Sequence, residues 1–156
     1  MDTKVGIAGM PAHEDSDQAW QAWADGYPTM RAVNLRCTGV GALAATFILD
    51  EVPYPPNPNG AVNGGVLALA ADQAMGVLSA RVSPTGSVPV TAALAVQFHS
   101  PAYPPLTLRA QAIPGGRVVR AIEVIVHDAE GRRCSTASGT MAVGPVRRTP
   151  VPEATA

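Results

Sequence analysis

Asp72 is the only charged residue between Glu51 and Arg81. It lies in the run Val66-Leu67-Ala68-Leu69-Ala70-Ala71-Asp72-Gln73-Ala74-Met75-Gly76, where almost every neighbour is apolar. Holding a lone carboxylate ionised in apolar surroundings costs on the order of several kcal/mol. A chain that places a carboxylate there usually uses it. Gly64 and Gly65 stand just before the run. If a helix begins there, their backbone N–H groups are among its unsatisfied first-turn donors. With no Cβ in the way, a ligand carbonyl or a developing oxyanion can approach them closely.

The spacing limits how these groups can cooperate. Asp72 follows Gly64 by eight residues, about two helical turns or ~12 Å along the axis. Both cannot act on one reacting atom from the same helix. Two copies of the helix meeting antiparallel would bring them together, which hints at a dimer with shared sites.

The elements that position these residues can be read on either side. Asn57-Pro58-Asn59-Gly60-Ala61-Val62-Asn63 is turn chemistry, since Pro fixes φ and Asn and Gly accept unusual backbone angles. The run that follows is Ala-rich and apolar nearly all round, which predicts a buried helix starting near Gly64. Upstream, Arg36 to Leu49 reads as one long strand of small residues, with Gly39 and Gly41 permitting a bend or bulge. Pro53-Tyr54-Pro55-Pro56 cannot join a central sheet and connects strand to turn. Downstream, strands are predicted at 90–99, 106–113, 117–127 and 132–143. Leu94, Val96 and Phe98 alternate on one face, as do Ile122, Val124 and Val126. Pro114-Gly115-Gly116 and Ala129-Glu130-Gly131 supply the hairpin turns. The sum is an α+β domain, a five-stranded antiparallel sheet wrapped around one long central helix.

The ends are simpler. Asp15 or Ser16 could cap a short helix carrying Trp20, Trp23 and Ala24 on one face and ended by Gly26 and Pro28. Those aromatics either pack over an open end of the domain or stack on a ligand. Residues 1–12 and the proline-bearing tail are expected to be flexible. The expected division is a segment 1–29 with the short helix, a domain 30–145 and a tail 146–156.

Asn-x-x-Gly-x-x-[His]-Gly-Gly, followed by an apolar helix that carries an acid, resembles the hot-dog-fold acyl-CoA thioesterases of the phenylacetate-degradation (PaaI-like) branch. The segment Val90 to Ala102 and the turns at 115–117 and 128–131 resemble later elements of that family. The resemblance spans roughly residues 30–145. It implies a general base or nucleophile at Asp72 and a carbonyl-polarising backbone N–H at Gly64. It implies an Asn that holds the attacking water at Asn57 and a pocket hydroxyl at Thr91. Gly65 adjoins the carbonyl site. Asn63 stands where the family usually has His. An amide can donate a neutral hydrogen bond but cannot take up a proton near neutral pH.

Composition excludes other classes. At 156 residues the chain is one domain, and a net charge of −1 with 15% charged residues gives no footprint for nucleic acid or an anionic membrane. Cys37 and Cys134 lack metal or C-x-x-C spacing and read as reduced core thiols. With no signal peptide visible, the expected location is cytoplasmic. No Ser lies in G-x-S-x-G, and no glycine loop reads as a nucleotide motif. His13, His99 and His127 read as structural or peripheral. Arg81, Arg109, Arg117 and Arg120 could meet coenzyme A phosphates at a site edge, with Arg117 taken as the substrate-binding candidate. The reading is therefore an acyl-CoA thioesterase needing no cofactor or metal, a homodimer or homotetramer with sites at the dimer interface. Its rivals are a non-catalytic acyl-CoA or aromatic-ligand binding protein, and a hot-dog hydratase, whose usual Asp/His pair is missing here.

Overall fold

The computed structural model describes residues 9–145. Expectations for residues 1–8 and for the tail from 146 onward lie outside the described residues. The predicted central helix is α3 (Gly64–Arg81). Asn63 is its N-cap, in extended conformation, with its side-chain oxygen accepting the Gly65 N–H at 2.9 Å. Alanines at 68, 70, 71, 74 and 80 favour the helix and keep it slim. Arg81 closes the last turn, where a cation suits the helix dipole.

Six strands follow the order β1-β2-β4-β5-β6-β3 in one sheet, every neighbouring pair antiparallel. They are β1 (Leu35–Val40), β2 (Ala44–Leu49), β3 (Ser87–Phe98), β4 (Leu106–Ile113), β5 (Val119–His127) and β6 (Arg133–Pro145). The expected five strands are thus six. Arg36 to Leu49 is not one bent strand but a hairpin, reversed at Gly41-Ala42-Leu43, with the Gly41 N–H bonded to the Ala44 carbonyl at 2.8 Å. The reversal leaves Cys37, Val40, Phe47 and Leu49 all buried. A single extended strand would have carried the chain out of the core.

The helix touches all six strands. Leu106, Leu108, Val124, Val126, Ile122 and Phe47 face it, fully buried, and Met75 and Leu78 answer from the helix side. Each such side chain contributes about 1.5–3 kcal/mol by burial. At Gly139 of β6 the approach is closest. A Cβ there would lie 2.6 Å from the Met75 sulfur and 3.0 Å from the Ala93 carbonyl oxygen, so glycine is what admits the methionine.

The N-terminal helix α1 (Asp17–Gly26) is capped by Ser16, whose hydroxyl accepts the Ala19 N–H at 3.2 Å. Pro28 does not merely end it but opens a short second helix, α2 (Pro28–Ala32), where its missing N–H costs nothing. Trp20 is buried, its indole N–H bonded to the Ala12 carbonyl at 3.2 Å. Arg81 fastens α1 to the end of α3. Its guanidinium pairs with Asp17 at 3.0 Å, donates to the His13 carbonyl at 2.9 Å and lies 5.7 Å over the Trp20 ring. The two cysteines are buried and unpaired with each other. No helix among the described residues is long and apolar enough to cross a membrane.

Candidate active site

Asp72 projects from the middle of α3 toward β3, and its carboxylate accepts the Thr91 hydroxyl at 2.6 Å. A β-bulge aims that threonine. Thr91 pairs with Met141 and Ala93 with Thr140, leaving Ala92 as the extra residue. After the bulge Leu94 and Val96 lie opposite Gly139 and Ala137 on the helix side. Strict alternation from those residues would have turned Thr91 outward with Ala93 and Ala95. The bulge restores it to the helix side, a re-aiming that bulges commonly perform.

Asp72 is half-buried, not sealed in the core as the apolar run suggested. The reason is geometric. Asp72, Gln73 and Gly76 occupy the one stripe of α3 that the sheet leaves uncovered, beside the edge strand β3. The carboxylate opens into a half-enclosed cavity of about 160 Å³, walled by Trp23 of α1, by Tyr27 at the junction of α1 and α2, and by Val77, Thr91 and Met141, among others.

The other predicted residues gather elsewhere. Asn57 organises the loop before α3. Its side-chain oxygen accepts the N–H groups of Asn59 at 2.9 Å and Ala61 at 3.1 Å, and Gly60 takes φ +75° inside the turn. At the helix start, Gly65 gives its N–H to the Asn63 side chain, and Val66 and Leu67 give theirs to the Asn63 carbonyl. The Gly64 N–H is left without a partner among the described residues. Phe98 stands over Gly64, since a Cβ there would meet the ring at 3.0 Å. Asn57, Gly64, Leu67, Phe98 and His99 line a second depression of about 400 Å³. The His99 ring is 3.0 Å from the Thr136 hydroxyl.

Within one chain, then, Asp72 and Thr91 share one cavity, and Asn57 and Gly64 share another. Asn57 and Asn63 have their side-chain oxygens committed to backbone N–H groups, which leaves their NH₂ groups as donors. Arg117 lies exposed in the β4–β5 connection and lines neither cavity. An open trough of about 510 Å³ between α2 and β1 holds none of the predicted site residues. Within it Arg36 is paired to Asp50 at 2.8 Å and Asp25 accepts the Cys37 N–H at 2.6 Å. In the β5–β6 turn, burial would raise the Asp128 carboxyl. The backbone N–H and guanidinium of Arg132, with the Glu130 N–H, nevertheless hold it below its ordinary value. The aromatic wall of the Asp72 cavity was only half legible in the sequence. Trp23 was visible as part of a helical face with Trp20 and Ala24, but not Tyr27 at the helix end, nor the face of α3 they would meet.

Residues 59–135 match the family profile described as the thioesterase superfamily. No curated protein matches the chain in sequence. Solved structures are similar throughout the fold. A thioesterase of Haemophilus influenzae aligns with TM-score 0.74 at 14% identity, covering 89% of this chain and 96% of its own. A Streptococcus mutans protein bound to acetyl CoA aligns with TM-score 0.65 at 20% identity, over 74% of this chain and 92% of its own. The E. coli PaaI protein of the phenylacetic acid degradation operon aligns with TM-score 0.66 at 16% identity, over 81% and 94%. Likeness at such identities establishes the fold, and the family profile adds the enzyme class it points to, thioester hydrolysis. The chain is a hot-dog-fold protein whose central stretch, 59–135, matches the thioesterase superfamily profile and whose fold is similar to that of the E. coli PaaI protein.

Proposed function

We propose that this protein is an acyl-CoA thioesterase that works as a homodimer. The observation that carries this is the Asp72 carboxylate, oriented by the Thr91 hydroxyl at 2.6 Å at the mouth of an apolar-walled cavity. The unpartnered Gly64 N–H supports it as the oxyanion donor, aided by the positive end of α3. Because the two groups open into different cavities, one subunit supplies Asp72 and Thr91 and a second supplies Gly64 and Asn57.

Edge strand β3 supports that assembly. It is twelve residues long, pairs only with β6 among the described strands, and exposes Val90 at 63% and Phe98 at 56%. A long apolar edge of this kind is a template for pairing with another chain. Pairing two copies of β3 about a two-fold axis would continue the sheet and bring the two α3 helices side by side, antiparallel.

The reaction needs only water. Asp72 takes a proton from water as its oxygen bonds to the thioester carbon, and the carbonyl oxygen becomes an oxyanion held by the Gly64 N–H. Collapse restores the carbonyl, breaks the carbon–sulfur bond and releases coenzyme A thiolate, which takes up the proton. Alternatively, Asp72 attacks directly and forms a mixed anhydride that water then opens. A single turnover in ¹⁸O-water separates these, since label enters the Asp72 carboxylate only by the second route. The Asn57 NH₂ positions the water and the Asn63 NH₂ assists at the carbonyl.

Asn63 also motivates a second reading, a hot-dog protein that binds acyl-CoA without cleaving it. No imidazole stands at the helix start, and the Asn63 oxygen is spent on capping. Thiol release from a panel of acyl- and aryl-CoA esters decides between the two. Turnover above the uncatalysed rate supports the hydrolase. Binding of CoA esters with no turnover across the panel refutes it.

A further inference from the structure

We infer that Trp23 of the N-terminal helix and Tyr27, the residue that caps its C-terminus, set the length of the acyl group by walling the Asp72 cavity. This rests on the acyl-CoA reading, because it takes the cavity beside Asp72 as the place where the acyl chain lies. The cavity holds about 160 Å³. An apolar cavity of ~150 Å³ is known to take a single benzene molecule, so about six carbons or one ring is the limit here.

The wall that imposes the limit does not belong to the sheet-and-helix core. It belongs to α1 and its capping residue Tyr27, and α1 is pinned. Arg81 holds it through Asp17 and the His13 carbonyl, and the buried Trp20 packs edge-on to Trp23 with ring centres 5.6 Å apart and planes at 80°. Trp23 in turn meets Tyr27 at 5.7 Å. Aromatic side chains with two rotatable bonds, packed on both sides, lose little entropy on meeting a ligand and do not yield to one that is too long. The expected consequence is a sharp cut-off in chain length. The opposite wall offers a second handle. Gly76 lies one turn beyond Asp72 and lines the cavity, and a Cβ there would meet nothing within 4 Å. A side chain at that position would enter the same space without disturbing α1.

The test uses S-alkyl-CoA thioethers, which cannot be hydrolysed, from two to twelve carbons, titrated calorimetrically into the full-length protein. The corresponding acyl-CoA esters are assayed for kcat/KM in parallel. Wild-type affinity should rise roughly fourfold per methylene to about six carbons, then level or fall. Trp23→Ala should move that break to longer chains, and Gly76→Leu to shorter ones. Should Trp23→Ala fail to fold, Gly76→Leu and Tyr27→Ala carry the test. A break at the same length in wild type and in every folded variant overturns the inference. Breaks that move while no ester is cleaved uphold it and defeat the hydrolase reading. Ester cleavage with unmoved breaks does the reverse, and failure to bind any thioether defeats both.

Discussion

Replacing Asp72 with Asn separates chemistry from architecture. The carboxamide keeps the size of the carboxylate, and its oxygen can still accept the Thr91 hydroxyl now 2.6 Å away. The side chain is half-buried beside an edge strand, so little packing changes. A substitution of that kind alters stability by about 0.5–1 kcal/mol, or roughly 1–4 °C in Tm for a chain of this size. Loss of a general base costs ~10²–10⁴ in rate, about 2.7–5.5 kcal/mol of transition-state stabilisation. Activity should therefore fall by at least about a hundredfold while the melting curve barely moves. The assay is coenzyme A release followed with a thiol reagent, alongside thermal unfolding of the same preparation. Thr91→Val grades the effect. It keeps the shape but removes a hydrogen bond to a charged group, worth about 1.5–3 kcal/mol when dry. Water can reach this carboxylate, so about 1 kcal/mol, or roughly fivefold in kcat/KM, is expected. An Asp72→Asn protein that hydrolyses within a few-fold of wild type, or is markedly more stable, refutes the assignment of Asp72 as the reacting group.

Other outcomes follow from the same structure. Light scattering at micromolar concentration should give a dimer or larger, and a monomer would remove the shared-site arrangement. Asn63→Ala deletes the N-cap of α3 and should cost about 1 kcal/mol, a drop of a few degrees in Tm that Asn63→Asp should largely spare. Gly139→Ala puts a methyl against the Met75 sulfur and the Ala93 carbonyl. It should destabilise the fold by about 1–3 kcal/mol, as overpacking does. Burial pushes the Cys37 thiol up to about 11, against an ordinary value of 9.0. The unfolded chain gives up that proton first, so stability should decline between about pH 9 and about 11, and thiol reagents at pH 8 should label Cys37 only on unfolding. Unchanged stability across that window in wild type, relative to Cys37→Ala, would contradict it.

Local physics made much of this molecule legible beforehand. The helix from Gly64 stood out because its apolar run has no competing period, and β4 to β6 because their alternation and turns agree. Asp72 stood out as a single charge. What escaped depended on partners distant in sequence. The turn at Gly41-Ala42-Leu43 carries only one turn-forming residue, so the hairpin reads as a continuous strand until Phe47 and Leu49 must be buried. The inward aim of Thr91 depends on one unpaired residue, Ala92, which no pattern of hydrophobicity marks. The half-exposure of Asp72 follows from which strand ends at the sheet edge. Sequence order would place β3 beside β4, whereas the register sets it beside β6.

That last displacement has a bearing on how the chain is made. A ribosome releases β3 well before β6, because some fifty residues separate Thr91 from its partner Met141. Through that interval β1 and β2 can pair, and β4 and β5 can join them, while β3 has neither edge occupied. Its apolar residues Val88, Val90, Leu94, Val96 and Phe98 would then be held only by the adjacent α3. Nascent chains on neighbouring ribosomes of one polysome would meet at this strand first. A stop codon between β5 and β6 would leave a polypeptide with its central helix and five of its six strands, and with a permanently adhesive segment that quality control must clear.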